Sequence, residues 1–216
     1  MSEKIKIALL GQPNSGKSTL FNALTGLRQH VGNWPGKTVE KKEGVFIHNG
    51  KENTVTDLPG SYSLSANSDE EIITRDFIAS GEADIVCILA DSSQLQRSLF
   101  MLADYAGIQT PCVLLLNMAD VAKDQGKKID AKVIEKKLGI PVLLFSATDI
   151  KAYDSFYEIL ERTVQKREQT NVSELEKQYE TIEGFREICG QIPENTIPGY
   201  SAMWLAVKFL ENDRVV

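Results

Sequence analysis

The residues with the most chemistry in them come first along the chain. Gly11-Gln12-Pro13-Asn14-Ser15-Gly16-Lys17-Ser18 fits the pattern Gly-x4-Gly-Lys-Ser, set between an apolar run and a helical pattern. Glycines let the backbone curl so that its N–H groups point inward at phosphate oxygens, and a helix N-terminus adds its dipole to that cradle. Lys17 supplies a point charge to the β- and γ-phosphates of a nucleotide, and the Ser18 hydroxyl is a ligand for Mg²⁺. Gly11, Asn14, Ser15, Gly16 and Thr19 complete the expected phosphate-binding set.

Three further groups follow in an order that gives each of them weight. Asp57-Leu58-Pro59-Gly60 ends a strand pattern; an Asp there holds Mg²⁺ through a water, and the Gly60 N–H meets a γ-phosphate. Asp-x-x-Gly alone is common in turns, but downstream of a phosphate loop and after a strand it becomes specific. Between the two, Thr38 in the Gly/Pro-rich stretch Gly32–Thr38 is the candidate to bring a switch hydroxyl to Mg²⁺. Asn117-Met118-Ala119-Asp120 follows another strand, where Asp120 can accept from N1–H and the exocyclic amine of guanine. Adenine lacks that donor pair and would leave Asp120 desolvated and unpaired. Asn117 can bond the base and tie its loop to the phosphate loop, and Ser146-Ala147-Thr148 is placed to offer a backbone N–H to guanine O6. The ordered set predicts a GTPase and argues against an ATPase. Lys17, Thr38, Gly60 and Asn14 are the expected catalytic residues. Ser61 follows Gly60 where many GTPases carry a water-orienting Gln, so hydrolysis is expected to be slow unless another positive charge enters the site.

Alternating apolar and helical segments must position these residues. Lys4–Leu10, Ile85–Ala90, Val113–Leu116 and Val142–Phe145 read as strands, the last three as continuous apolar runs typical of central parallel strands. Val45–His48 and Thr54–Thr56 read as a hairpin through Asn49-Gly50. Helices are expected at Lys17–Leu27, from Ser68 (a capping box with Glu71) to Ser80, and at Leu95–Ala106, Ala131–Leu138 and Ala152–Val164. The predicted fold is α/β, Ras-like, with a mostly parallel six-stranded sheet over residues 1–168. A small helical domain over residues 169–216 follows the polar stretch Lys166–Asn171. It contains a capping box at Ser173 and Glu176, a helical pattern through Leu175, Tyr179, Ile182 and Phe185, and the apolar helix Ala202–Leu210.

Composition sets outer bounds. The chain has 216 residues, of which 42% are hydrophobic and 25% charged, so it reads as folded. A net charge of −6 counts against nucleic acid as a partner, because phosphate backbones demand basic surface. No run reaches the ~20 apolar residues that span a bilayer, and no signal peptide is expected at Met1. Cys87, Cys112 and Cys189, with His30 and His48, match no metal or disulfide framework; buried thiols are expected instead.

At Gly11-x-Pro13-Asn14-x-Gly16-Lys17-Ser18 the sequence resembles the potassium-stimulated bacterial GTPases. At Val31-Gly32-Asn33-Trp34-Pro35-Gly36-Lys37-Thr38-Val39-Glu40, with Asp57-Leu58-Pro59-Gly60-Ser61-Tyr62-Ser63-Leu64, it resembles FeoB, the bacterial ferrous-iron transporter. The tail ending Trp204–Glu211 is similar to that family's cytosolic helical domain. The resemblance implies a soluble portion on the cytoplasmic face of the inner membrane, joined in the whole protein to a membrane-embedded iron pathway absent here. It also implies K⁺ beside the nucleotide, held by Asn14 and the backbone carbonyls of Gly32 and Trp34, in the electrostatic role of an arginine finger. The loop after Ala147 departs from the family in lacking a glycine.

Two other readings stand beside an iron-uptake GTPase: a nucleotide-dependent binding switch with little turnover, and an RNA or ribosome-assembly GTPase. Self-association is open. Asp120→Asn is expected to weaken GTP binding at least ~10-fold, about 1.4 kcal/mol, and to improve xanthosine triphosphate binding. A fluorescent-nucleotide titration showing unchanged GTP affinity would remove Asp120 from the base site.

Overall fold

The computed structural model describes residues 4–166 and 177–213. The capping box at Ser173 and Glu176, Leu175 and the 168/169 boundary lie outside the described residues. The element order is β1 (Lys6–Gly11), α1 (Lys17–Thr25), β2 (Gln29–Asn33), β3 (Glu40–His48), β4 (Lys51–Asp57), α2 (Asp69–Ala79), β5 (Ile85–Asp91), a 3₁₀ turn (Ser92–Gln94), α3 (Leu95–Ser98), α4 (Phe100–Tyr105), β6 (Cys112–Asn117), α5 (Ala119–Asp124), α6 (Ala131–Leu138), β7 (Val142–Leu144), α7 (Ala152–Lys166), α8 (Phe185–Gln191) and α9 (Ala202–Leu210).

The strands form one sheet in the order β2-β3-β4-β1-β5-β6-β7. Strands β4, β1, β5, β6 and β7 run parallel, while β3 pairs antiparallel with β4 and with β2. Central strands bury both faces. Ala8 and Leu10 of β1 face one apolar cluster with Phe77, Tyr105 and Trp204, whereas Ile7 and Leu9 face another with Phe21 and Phe156. Burial raises the Cys87 and Cys112 thiols well above their usual range, so both remain neutral in the sheet.

The sheet has seven strands, not six. The additional one, β2, is almost wholly exposed and is held by its backbone ladder to β3, so no apolar alternation marks it. The hairpin between β3 and β4 is as expected, with Asn49 (φ 50°) and Gly50 (φ 74°) both in the left-handed region that a tight hairpin turn requires. The expected helix Leu95–Ala106 is broken. Ser98 Oγ accepts from the Asp91 N–H at 3.1 Å, drawing the helix start onto the end of β5, and α3 and α4 meet at Leu99. Helix α1 ends at Thr25 rather than Leu27, where Gly26 turns the chain at φ 55°. Ser68 caps α2, but Glu71 reaches past it: its carboxylate accepts from Ser63 Oγ (2.7 Å) and Asn67 N–H (3.2 Å).

The tail packs on the face of the sheet occupied by α2 and α4. Tyr200, Trp204 and Leu205 belong to the same apolar cluster as Phe77 and Tyr105, while Phe185 packs with Met203 and Val207. Gly199, at φ 89°, lies so close to the Ala79 backbone that a side chain there would overlap it. The seam also carries charge. Arg75 and Asp213 pair at 3.0 Å with side chains 2% and 3% exposed, and Lys208 pairs with Glu211 at 2.8 Å. Asp213, Lys208 and Asp104 grip one loop in three successive places: Ala66 N–H (3.3 Å), Ser65 Oγ (3.3 Å) and Leu64 N–H (3.0 Å). Removing one member of a buried pair strands the other charge at a cost of several kcal/mol. Asp213→Ala is therefore expected to lower unfolding free energy by about 3 kcal/mol in a urea titration; a loss below about 1 kcal/mol, the scale of an exposed pair, would mean that water or Asp76, which lies 3.5 Å from Arg75 Nε, satisfies Arg75.

Candidate functional site

The parallel strands bring their carboxyl ends to one edge, where Gly11 lies opposite Leu89 and Asp91 opposite Asn117. In open α/β sheets the crevice at such an edge is where ligands bind. The loop Gln12–Gly16 curls there. Asn14 (φ 65°) and Gly16 (φ 89°) both take left-handed conformations, and α1 begins with no side chain capping its first turn. Uncapped N–H groups at a helix start are the donors that a phosphate would use. Ser18 and Thr19 are exposed, while Ser15 is buried with an unpartnered hydroxyl.

Lys17 points into this cradle and is 9% exposed. Its Nζ donates to Asp57 Oδ1 at 2.5 Å and to the Leu58 carbonyl at 2.7 Å. Strand β1, which runs into the phosphate loop, pairs with β4 and sets this contact, with Leu9 in register with Asp57. Gly60 sits against the loop, since a side chain there would come within 3.4 Å of Pro13 Cγ.

The base side is built around Asn117, which is 2% exposed. Its Nδ2 donates to the Ser15 carbonyl at 2.8 Å, and its Oδ1 accepts from the Ala147 N–H at 3.0 Å. One amide thus joins the phosphate loop to the Ser146–Thr148 loop. Met118 turns the chain at φ 56°, leaving Asp120 exposed in the first turn of α5. Ser146 and Thr148 hydroxyls meet at 3.1 Å. Tyr153, which sequence reasoning missed, donates from its hydroxyl to the Ala147 carbonyl at 2.9 Å. Burial pushes its phenol up to about 12, so it stays a donor across the physiological range. Only its place in the first turn of α7 hinted at this contact.

The switch segment has a different arrangement. Gly32 lies in the β2–β3 ladder opposite Lys41, and the Trp34 carbonyl accepts from the Lys37 N–H at 3.0 Å. The Trp34 ring is buried edge-on to Phe77 of α2, with centroids 5.3 Å apart, and Lys41 covers it. Thr38 is exposed in the hairpin loop. No hydrogen bond links Asn14 to Gly32, Trp34 or Thr38 among the described residues. Ser18 and Asp57 offer the hard oxygen donors that suit Mg²⁺. The carbonyls expected around K⁺ are meanwhile held in the hairpin. His48 stacks on Tyr157 at 3.8 Å, and no group of three or more His, Cys, Asp or Glu gathers among the described residues. Nor, among them, is any helix long and apolar enough to cross a membrane.

A phosphate cradle, a Lys–Asp pair beside it and an Asn-bridged base loop, all on one edge of this sheet, define the G domain of a P-loop GTPase fold. A family model described as ferrous iron transport protein B matches residues 5–160, and the chain belongs to that family. It is 36% identical over 215 residues to the Fe(2+) transporter FeoB of Escherichia coli K12, covering 98% of this chain but only 27% of that protein. Among solved structures it is similar to the cytosolic domain of the T. maritima FeoB iron transporter in its GMPPNP form. That match has TM-score 0.80, 37% identity and coverage of 97% and 82% of the two chains. A GDP-bound point mutant of the S. thermophilus FeoB G-domain matches with TM-score 0.84 and 34% identity, over 98% and 80%.

Because Tyr153 and Asn117 hold Ala147 from opposite sides, Tyr153→Phe should loosen the base loop. Losing one hydrogen bond of about 1 kcal/mol is expected to speed GDP release about fivefold, measured by chasing a fluorescent GDP analogue. An unchanged off-rate would show that Asn117 alone holds the loop.

Proposed function

We propose that the chain binds GTP with Mg²⁺ and hydrolyses it to GDP and phosphate, as the cytoplasmic GTPase portion of a bacterial ferrous-iron transporter. The observation that supports this most is the Asn117 bridge, because it organises a phosphate loop and a base loop from one side chain. The exposed Asp120 beside it is the guanine-reading carboxylate. In this reading residues 1–168 are the nucleotide-binding unit and residues 169–216 a helical regulatory unit. Both lie on the cytoplasmic face of the inner membrane and act on a membrane-embedded iron-permeation portion.

The proposed chemistry is attack of water on the γ-phosphorus. A bond forms from the water oxygen, the bond to the β–γ bridging oxygen breaks, and the water's protons pass to phosphate and solvent. Lys17, whose partner is now Asp57, exchanges it for the β- and γ-phosphates, and the loop N–H groups from Gly11 to Thr19 hold the remaining oxygens. Ser18, Thr38 and Asp57 would hold Mg²⁺, which supplies charge neutralisation on the phosphates. Gly60 N–H binds the γ-phosphate. Ser61 cannot orient water as a Gln would, so the growing negative charge needs another cation. Asn14 and the Gly32 and Trp34 carbonyls would hold K⁺, which supplies that charge. For those carbonyls and Thr38 to serve, the segment from Gln29 to Thr38 must leave its hairpin, breaking the Trp34–Lys37 bond and withdrawing Trp34 from Phe77.

A second reading, a binding switch with little turnover, is favoured by the grip of Asp104, Lys208 and Asp213 on residues 64–66, which links the γ-phosphate side to the helical tail. Single-turnover hydrolysis in K⁺ and in Na⁺ at equal ionic strength separates the two. Wild type should run faster in K⁺. Asn14→Ala should lose most of that stimulation, and Thr38→Ala should hydrolyse slowly, both with GDP affinity nearly intact. Equal rates in both salts would remove K⁺ from the mechanism, and no turnover in either would favour the switch.

A further inference from the structure

Arg97 stands at the mouth of the phosphate loop, and the chemistry proposed above does not use it. Its carbonyl accepts from Gln12 Nε2 at 3.0 Å, so the backbone of α3 is fastened to the phosphate loop through a buried amide. Its guanidinium lies 5.1 Å from the ring centroid of Tyr62. Among the described residues that guanidinium has no carboxylate partner. Asp91, the acid lining the same cavity, is occupied by the N–H and hydroxyl of Ser93. Pro13, Asn14, Ser15, Tyr62, Asp91 and Arg97 enclose a polar cavity of about 110 Å³.

Tyr62 is two residues beyond Gly60. The short turn between them is therefore bracketed at both ends, with Gly60 against Pro13 and Tyr62 against Arg97. Between them Ser61 is buried with an unpartnered hydroxyl, so its side chain does not hold the turn. At the far end the stack on Arg97 adds to the Ser63–Glu71 (2.7 Å) and Leu64–Asp104 (3.0 Å) hydrogen bonds, and it is the contact on the side of the phosphate-loop cavity.

We propose that Arg97 is a positioning residue for γ-phosphate recognition: its guanidinium face holds Tyr62, and with it the Gly60 N–H, against the phosphate loop before nucleotide arrives. This rests on reading the site as a GTP site. A donor already in place spares the ordering cost of binding, so a preorganised turn raises affinity for the ligand that uses it. GTP uses the Gly60 N–H and GDP does not. Losing Arg97 must therefore fall on the triphosphate and spare the diphosphate. The effect also depends on the planar face of the guanidinium, which an ammonium lacks.

The test measures affinities for fluorescent GMPPNP and GDP in Mg²⁺, with no hydrolysis required. Arg97→Ala should weaken GMPPNP by about two- to fivefold, the size of an exposed cation–π contact, and leave GDP unchanged. Tyr62→Ala should do the same, Tyr62→Phe should behave as wild type, and Arg97→Lys should fall between wild type and alanine. The Arg97→Ala/Tyr62→Ala double variant should lose no more than either single one, because both break one contact. Additive losses, an unchanged GMPPNP-to-GDP ratio, or an equal fall in GDP affinity would each overturn the role. Wild type that binds neither nucleotide would overturn the site reading and this inference together. Wild type that binds both but fails to turn over GTP in the single-turnover assay would overturn only the hydrolysis reading.

Discussion

A single carboxamide, that of Asn117, holds the site together. Its nitrogen and its oxygen are both used, one on the Ser15 carbonyl and one on the Ala147 N–H, and both contacts are buried. That geometry exists only because β1, β6 and β7 run parallel and end at the same edge, so that loops distant in sequence meet around one side chain. It also explains Gly16: the amide lies where a side chain at that position would be. An apolar residue at position 117 would orphan a carbonyl in one loop and an N–H in the other, a penalty larger than the loss of either bond alone.

The second constraint is electrostatic. Lys17 is buried and carries its charge into the cradle, where it needs a counter-charge whether or not phosphate is present. Asp57 provides one, and the Leu58 carbonyl takes a further hydrogen bond. The cradle thus keeps its shape before phosphate arrives. Its lysine and its acidic neighbour hold each other in place at 2.5 Å.

The central sheet was legible because residues buried on both faces must be apolar. Ile85–Ala90 and Val113–Leu116 allow little else, and Asn49-Gly50 fixes a turn through backbone sterics alone. Motif spacing also foretold the Asn117 tie. Strand β2 was invisible because its cohesion lies in main-chain bonds to β3, to which side-chain pattern is blind. The contacts of Tyr153 and Arg97 depend on which helices meet which loops, a property of the assembled fold. The apolar character of Ala202–Leu210 announced a buried helix, but not that Trp204 would enter the main core, nor that Asp213 would meet Arg75. No hydrogen bond joins Gly32, Trp34 or Thr38 to Asn14 among the described residues; Trp34 packs against Phe77 and Gly32 lies in the ladder with β3, contacts that motif spacing does not announce.

The composition of β3 acquires a meaning from its neighbour. Strand β2 is the outermost strand of the sheet, and its last residues lead directly into the switch. In the proposed rearrangement that releases this segment, β3 would become the open margin, with a row of unpaired main-chain groups turned to solvent. Such margins recruit strands from other molecules unless charge is placed along them. Glu40-Lys41-Lys42-Glu43 occupies that stretch, and its members pair among themselves as Lys42–Glu40 (2.9 Å) and Lys41–Glu43 (3.0 Å). A self-neutralised, strongly hydrated run of this kind would keep β3 from joining a neighbouring molecule in a fibril in the proposed state where β2 leaves it.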